Sequence, residues 1–274
     1  MSASDVPVNG ASARPRGRTL AGRAFECYLY GYRRTWRGSI FSTFLVPLVY
    51  LGAMGFGVGA LVDRPGSTAA LGGLSYLEFL APGLLAASVV LIVVGECTWP
   101  VVSQVKWEKS FYAMLATPLD ATDVVLGNLA WVGVRAAMTA VAYFVAMAVF
   151  GVIHTPWAAL AIPVAVLSGL SIATPVYAFA ISREDEKSFS LLFRFGNVPL
   201  FLFSGTFFPI SQLPDPVQPI AYLSPLWHSI DLCRALVAGQ PVAGMAALHI
   251  AYLAAWTIAG FLLARRLFIR RLVV

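Results

Sequence analysis

The sequence predicts an all-α, polytopic membrane protein with six transmembrane helices, and three observations carry that reading. Of its 274 residues, 59% are hydrophobic and 12% charged, where ordinary soluble domains carry about 25% charged residues. Its mean hydropathy is +0.77. The chain also divides into apolar runs near the ~20 residues that a helix needs to cross a bilayer. Finally, of its 19 lysines and arginines, all but Arg64 and Arg234 fall in segments that six alternating crossings put on one side. The positive-inside bias makes that side cytoplasmic and puts both termini there.

Residues 1–18 are polar, carry Arg14, Arg16 and Arg18, and lack an apolar core. They read as a disordered cytoplasmic tail, not a cleaved signal peptide. Over residues 19–37, Leu20, Ala24, Phe25, Tyr28, Leu29, Tyr32 and Trp36 recur at three- and four-residue steps. Arg23, Glu26, Arg33, Arg34 and Arg37 fall mostly opposite. This is the pattern of an amphipathic helix lying in a membrane interface, although the flank of a first span would share it. The expected spans are 39–61, 77–99, 136–153, 157–181, 189–208 and 245–268.

Residues 107–127 form the longest polar interruption on the charge-rich side. A short helical piece over 109–116 stops at Thr117-Pro118, because the residue before proline is pushed out of the α region. Asp120 then suits the N-cap of a new helix, Asp123 places negative charge at its positive end, and Leu119 and Val124 have the spacing of a hydrophobic staple. Two helices therefore meet at a proline elbow outside the bilayer, and the third span starts well before its hydrocarbon part. An ordinary connecting loop would have the same grammar.

The connection over 205–243 is too apolar for a solvated loop and too rich in proline for a span. Irregular backbone at membrane depth must be buried in protein or line a cavity. Short re-entrant helices over 214–222 and 225–238 fit that requirement, and so does an interfacial helix on an outer loop. The turn with Arg183, Glu184, Asp185, Glu186 and Lys187 reads either as a solvated connection or as a second cytoplasmic contact.

Several chemistries find no support. None of Lys106, Lys109 and Lys187 follows a glycine, so no G-x-x-x-x-G-K-[ST] phosphate loop exists. Neither H-E-x-x-H nor G-x-S-x-G occurs. Cys27, Cys97 and Cys233 are odd in number and far apart, which suggests no disulfide framework and no metal site. The net charge of +6 is a topology signal and not a nucleic-acid footprint. Glu78, Glu96, Arg194, Asn197 and His249 lie near expected interfaces and not at mid-membrane. That placement weakens the alternative of an ion-coupled secondary transporter.

The assembled pattern resembles the ABC-2 family of ABC-transporter permeases, most of all the branch of nodulation-factor and daunorubicin-type drug exporters. The matching residues are Phe79-Leu80-Ala81-Pro82-Gly83-Leu84, Ala116-Thr117-Pro118-Leu119 with Gly127, and Leu202-Phe203-Ser204-Gly205-Thr206-Phe207-Phe208-Pro209 through Leu223-Ser224-Pro225-Leu226. The resemblance implies a non-catalytic membrane subunit that exports an amphiphile such as a drug, polyketide, glycolipid or polysaccharide. It implies two copies of a separate ATPase subunit that bind ATP and Mg, no cofactor in this chain itself, and a second copy of the permease or a paralogue. It places a cytoplasmic coupling helix between spans 2 and 3, with Glu108, Lys109, Phe111, Tyr112, Leu115, Thr117, Pro118, Leu119, Asp120 and Asp123 as the contact surface. It places outer re-entrant helices at Gly205, Phe208, Pro209, Pro225 and Leu226.

Overall fold

In the computed structural model, the described residues are 20–63, 71, 73–184, 187–239 and 243–273. Among them every regular element is helical. The elements are α1 (Ala21–Tyr32), α2 (Trp36–Val62), α3 (Tyr76–Glu96), α4 (Trp99–Lys106), α5 (Ser110–Leu115), α6 (Ala121–Val149), α7 (Pro156–Ser182), α8 (187–203), α9 (Gln218–Tyr222), α10 (Pro225–Val237) and α11 (Ala243–Leu272). The expected tail over 1–18 lies outside the described residues, as do Asp185 and Glu186.

Among the described residues, five helical stretches are long and apolar enough to cross a membrane: Trp36–Val62, Tyr76–Lys106, Ala121–Val149, Pro156–Ser182 and Gly244–Leu272. The run expected as a fifth crossing over 189–208 is helical only to Phe203 and then turns irregular. At 1.5 Å per residue, α8 spans about 26 Å, short of the ~30 Å hydrocarbon core. Its middle widens into a π-helical turn over Leu192–Asn197. Pro199 accounts for that widening, because a proline clashes with the carbonyl four residues back, here that of Phe195. A second π-helical stretch, Ala53–Gly59, coincides with the glycine-rich end of α2.

α3 is the central helix. Leu80, Leu84, Leu85, Val89, Val90 and Val93 are all buried in the main core, where α3 packs against α6, α7 and α10. Its start is a reciprocal capping box. The Ser75 amide donates to Glu78 Oε2 at 2.8 Å, and the Glu78 amide donates to Ser75 Oγ at 3.3 Å. Glu78, expected only to lie near an interface, is thus a cap residue, and its other oxygen meets His154 Nε2 at 2.8 Å.

The amphipathic helix ends earlier than its pattern suggests. α1 stops at Tyr32, a turn covers 33–35, and Trp36 opens α2. The contacts give alternating directions to the long helices. The start of α2, the end of α3, the start of α6, the end of α7 and the end of α11 gather at the end of the bundle that carries α1, α4 and α5. The helix α10 sits toward the opposite end, with Leu226, Ile230, Leu232 and Cys233 in the main core.

Candidate coupling surface

The elbow is built as its residues dictate. Asp120 and Asp123 form a reciprocal capping box at the start of α6, with the Asp120 amide donating to Asp123 Oδ2 at 3.2 Å. Val124 is buried, and Leu119 packs partly buried against the same core. α6 runs for 29 residues, about 44 Å at 1.5 Å per residue, so it outreaches the ~30 Å core. The elbow is tied to the last helix as well, since Arg265 Nε donates to Thr122 Oγ1 at 2.8 Å. Between the two lies a cavity of about 530 Å³ lined by Leu115, Leu119, Asp120, Arg265 and Ile269.

Along this stretch the residues separate into an outer face and an anchor. Trp107 and Tyr112 are 62% and 45% exposed, and Glu108, Lys109, Thr117, Pro118 and Asp120 are also exposed. Lys109 adopts a left-handed conformation, φ 53°, which turns the chain sharply between α4 and α5. Phe111 behaves differently. It is fully buried, and its ring meets Phe268 of α11 edge-on at 5.3 Å. It is therefore an internal anchor of α5 and not an open contact. Leu115 and Asp123 are half-buried.

The amphipathic helix forms the second part of the same surface. Ala24, Phe25, Tyr28 and Tyr32 turn toward α6, and Phe25, Tyr28 and Tyr32 surround Trp131 with ring centroids 5.2–6.5 Å away. Tyr28 Oη donates to Gln104 Oε1 at 2.7 Å, which links α1 to α4. Burial raises the Tyr28 phenol pKa above its ordinary value. The approach of the two helices requires glycine at 127. A Cβ there would stand 2.6 Å from Ala24 Cβ and 3.0 Å from both Ala21 O and Phe25 N.

Arg135 joins these parts. Its Nε donates to Glu96 Oε1 at 2.9 Å and its Nη1 to Ser39 Oγ at 2.8 Å, and its guanidinium lies 5.5 Å from the Tyr32 ring centre. One side chain thus connects α6 to α1, α2 and α3. Sequence reasoning placed Glu96 near an interface without pairing it with Arg135. Their matched depth on neighbouring antiparallel helices was the available signal.

The turn after α7 has a fastened backbone. Arg271 Nη1 donates to the carbonyls of Ile181 and Arg183, both at 2.6 Å. Arg183, Glu184 and Lys187 are exposed, and Asp185 and Glu186 lie outside the described residues.

At the opposite end, Gly205 takes φ 81°, a left-handed turn that favours glycine. Its carbonyl accepts from Arg234 Nη2 at 2.9 Å. Arg234 also donates to Phe79 O at 3.2 Å and covers the Phe79 ring at 3.8 Å. Leu226 is fully buried, while Phe208, Pro209 and Pro225 are half-buried. Beside them, His228 Nδ1 and His249 Nδ1 are 2.7 Å apart, so one must donate to the other. Arg234 and a histidine pair therefore hold α10 in place, and neither set of contacts was legible in the sequence.

The family model described as ABC-2 type transporter matches residues 23–237, from within α1 to the last residue of α10. The chain belongs to the ABC-2 type transporter family. Nodulation protein J of Rhizobium leguminosarum bv. viciae is 33% identical over 236 residues, covering 85% of this chain and 88% of that protein. The Nodulation protein J of Sinorhizobium fredii is 33% identical over 237 residues, 85% of this chain and 87% of its own length. That of Bradyrhizobium diazoefficiens is 29% identical over 243 residues, 88% and 89%. As an ABC-2 protein with five long apolar helices, the chain is a multi-pass membrane protein of transport. The matched region includes residues 79–84 of α3, the elbow and the irregular segment after α8, the parts on which the sequence resemblance rested.

Proposed function

We propose that this ABC-2 protein is the permease subunit of an ATP-driven exporter. It would move an amphiphile out across the cytoplasmic membrane, with both termini inside. In this reading α8 and the irregular chain after it make the fifth of six crossings, and α9 and α10 are re-entrant elements at the outer end. ATP and Mg are bound by two copies of a separate ATPase subunit, since this sequence has no phosphate loop of its own. The permease works as a pair, with a second copy or a paralogue completing the path.

The observation that carries the reading is the platform at the α1 end of the bundle. α5 is fixed to α11 through Phe111 and Phe268, and the elbow is fixed to α11 through Arg265. α1 is fixed to α6 through the ring cluster at Trp131. A push on the exposed face of Trp107, Glu108, Lys109 and Tyr112 therefore reaches two membrane helices as one motion. Rigid levers of this kind suit a transporter driven by a moving partner. Arg183, Glu184, Asp185, Glu186 and Lys187 are proposed as a second contact with that partner.

The test is coexpression with a candidate ATPase subunit, copurification, and transport in inverted vesicles. Stable copurification and uptake that stops without ATP support the proposal. Uptake that follows a proton or sodium gradient and ignores ATP overturns it in favour of a secondary transporter.

A further inference from the structure

Two histidines meet where α10 packs on α11. His228 and His249 are 9% and 1% exposed, and their Nδ1 atoms stand 2.7 Å apart. A contact that short between two ring nitrogens holds one proton, donated by one ring to the lone pair of the other. His249 Nε2 is buried without an aligned hydrogen bond, and Asp231 Oδ2 lies 3.3 Å from it. Aromatic rings enclose the pair. The Trp227 ring centre is 4.8 Å from that of His228 and 5.6 Å from that of His249, and Tyr252 lies 4.1 Å from His228. The charges around it are committed. On α10, Asp231 faces His249, and Arg234 donates to Phe79 O and Gly205 O. Glu78 of α3 is held by Ser75 and His154, and Asp215 accepts from Gln218. Tyr222 of α9 and Tyr252 of α11 are phenols, neutral below about pH 9.

We propose that this pair is a pH-sensitive latch, which closes α10 onto α11 while it carries at most one charge and releases the first half of α10 when both rings are protonated. Only the compartment sensed rests on the exporter reading, which puts α10 at the outer end. In the neutral pair, His228 Nδ1–H donates to His249 Nδ1, and His249 Nε2–H faces Asp231. With one added proton, a single positive charge still meets a single carboxylate, and one proton still lies between the two Nδ1 atoms. A second added proton makes both Nδ1 atoms donors. Two N–H groups cannot share a 2.7 Å contact, and two buried like charges then repel. In the closed latch, burial and the neighbouring His249 ring hold the His228 pKa below its ordinary value. Apart, both rings take protons near the ordinary value of about 6.5. Opening therefore takes up one proton. The closed state loses stability as pH falls below about 6.5, by a factor that approaches ten per unit. Above about pH 5 the carboxylates stay ionised. His154 titrates in the same window, but a proton on it strengthens its contact with Glu78. The second half of α10 stays docked, because Arg234 keeps its charge and both of its carbonyl partners.

The experiment follows amide hydrogen exchange of the full chain in phosphatidylcholine nanodiscs from about pH 7.5 to about pH 5, beside His228→Asn at each pH. Asparagine keeps a side-chain acceptor for His249 Nδ1–H and removes the second charge. Dividing the wild-type rate by the variant rate at the same pH cancels the intrinsic pH dependence of exchange. Over residues 225–230 of α10 the ratio should stay flat down to about pH 6.5 and then climb toward about tenfold over the next unit. Over residues 234–237 and in α3 it should not change. A ratio over 225–230 that stays flat throughout overturns the latch, and so does an equal rise in α3. In the wild type alone, C2–H exchange of each imidazole, read by mass spectrometry, gives the two ring titrations. The pair should titrate in two steps, the second below about 6.5. Two overlapping single-site curves near that value overturn the latch, whether or not the variant folds. Acidifying one side of right-side-out membrane vesicles then separates the latch from the exporter reading. Opening by external acid supports both, whereas opening by internal acid alone keeps the latch and overturns the proposed topology.

Discussion

Gly127→Ala is expected to loosen α1 from α6, and Gly133→Ala on the same helix is its control. At position 133 a new Cβ meets only Leu170 Cδ2 at 3.8 Å, an ordinary contact. There the substitution should contribute the helix-propensity gain of up to about 1 kcal/mol. At position 127 the same gain is opposed by atoms that cannot rotate away. Two of the three close neighbours, Ala21 O and Phe25 N at 3.0 Å, are backbone, so α1 must move as a body. Overpacking of this kind costs about 1–3 kcal/mol, and the displacement also stretches the 2.7 Å bond from Tyr28 to Gln104. The net expectation is a docking equilibrium weakened by about 1–2 kcal/mol, a factor of roughly 5–30. A helix of 12 residues is marginal on its own in water, so amide hydrogen exchange along α1 should accelerate by that factor in nanodiscs while the core of α3 stays protected. Unchanged exchange in α1, or equal acceleration in both variants, would refute the claim that a close helix contact requires glycine here.

Three further expectations follow from the same geometry. Phe111→Ala should destabilise the protein by about 3–5 kcal/mol as a buried aromatic truncation, whereas Tyr112→Ala should leave the melting curve alone and, if the coupling proposal holds, weaken ATPase binding. A loss of partner binding from Tyr112→Ala accompanied by unfolding would erase that distinction. Arg135→Met should cost about 3 kcal/mol, the low end for breaking a buried pair because Glu96 keeps 21% of its side chain exposed. The double variant Arg135→Met with Glu96→Met should recover most of that in thermal unfolding, and failure to recover would mean that the Ser39 and Tyr32 contacts dominate. Arg234→Gln should free the segment at Gly205, read as faster proteolysis between Phe203 and Pro225, while unchanged cleavage would show that Arg234 is not its fastener.

Much of the candidate surface was legible because its grammar is local. Proline at 118, aspartate at 120 and 123, and the apolar pair at 119 and 124 act within one helical turn, and the folded chain keeps the elbow and its capping box. Of the apolar stripe read for α1, Ala24, Phe25, Tyr28 and Tyr32 turn toward α6 while Leu29 and Trp36 stay exposed, so the spacing foretold the covered face only in part. Phe111 was not legible. Its neighbours in sequence, Tyr112 and Lys109, are exposed, and only the arrival of Phe268 from the far end of the chain buries it. The limits of α8 were hidden for a related reason, since an apolar run says nothing about whether its last turns are helical or bent against α3.

The sequence by itself determined that this chain enters a membrane, where the elbow between α5 and α6 lies, and which family it resembles. Hydrophobic run length, capping chemistry and proline geometry are properties of neighbouring residues, so they need no fold to act. The tertiary structure alone decided what is an anchor and what is a face. It also decided that Arg135 meets Glu96, that Arg234 clasps Gly205, and that His228 meets His249. Those pairings depend on depth and rotation of helices far apart in sequence, which are set by packing and not by any local pattern.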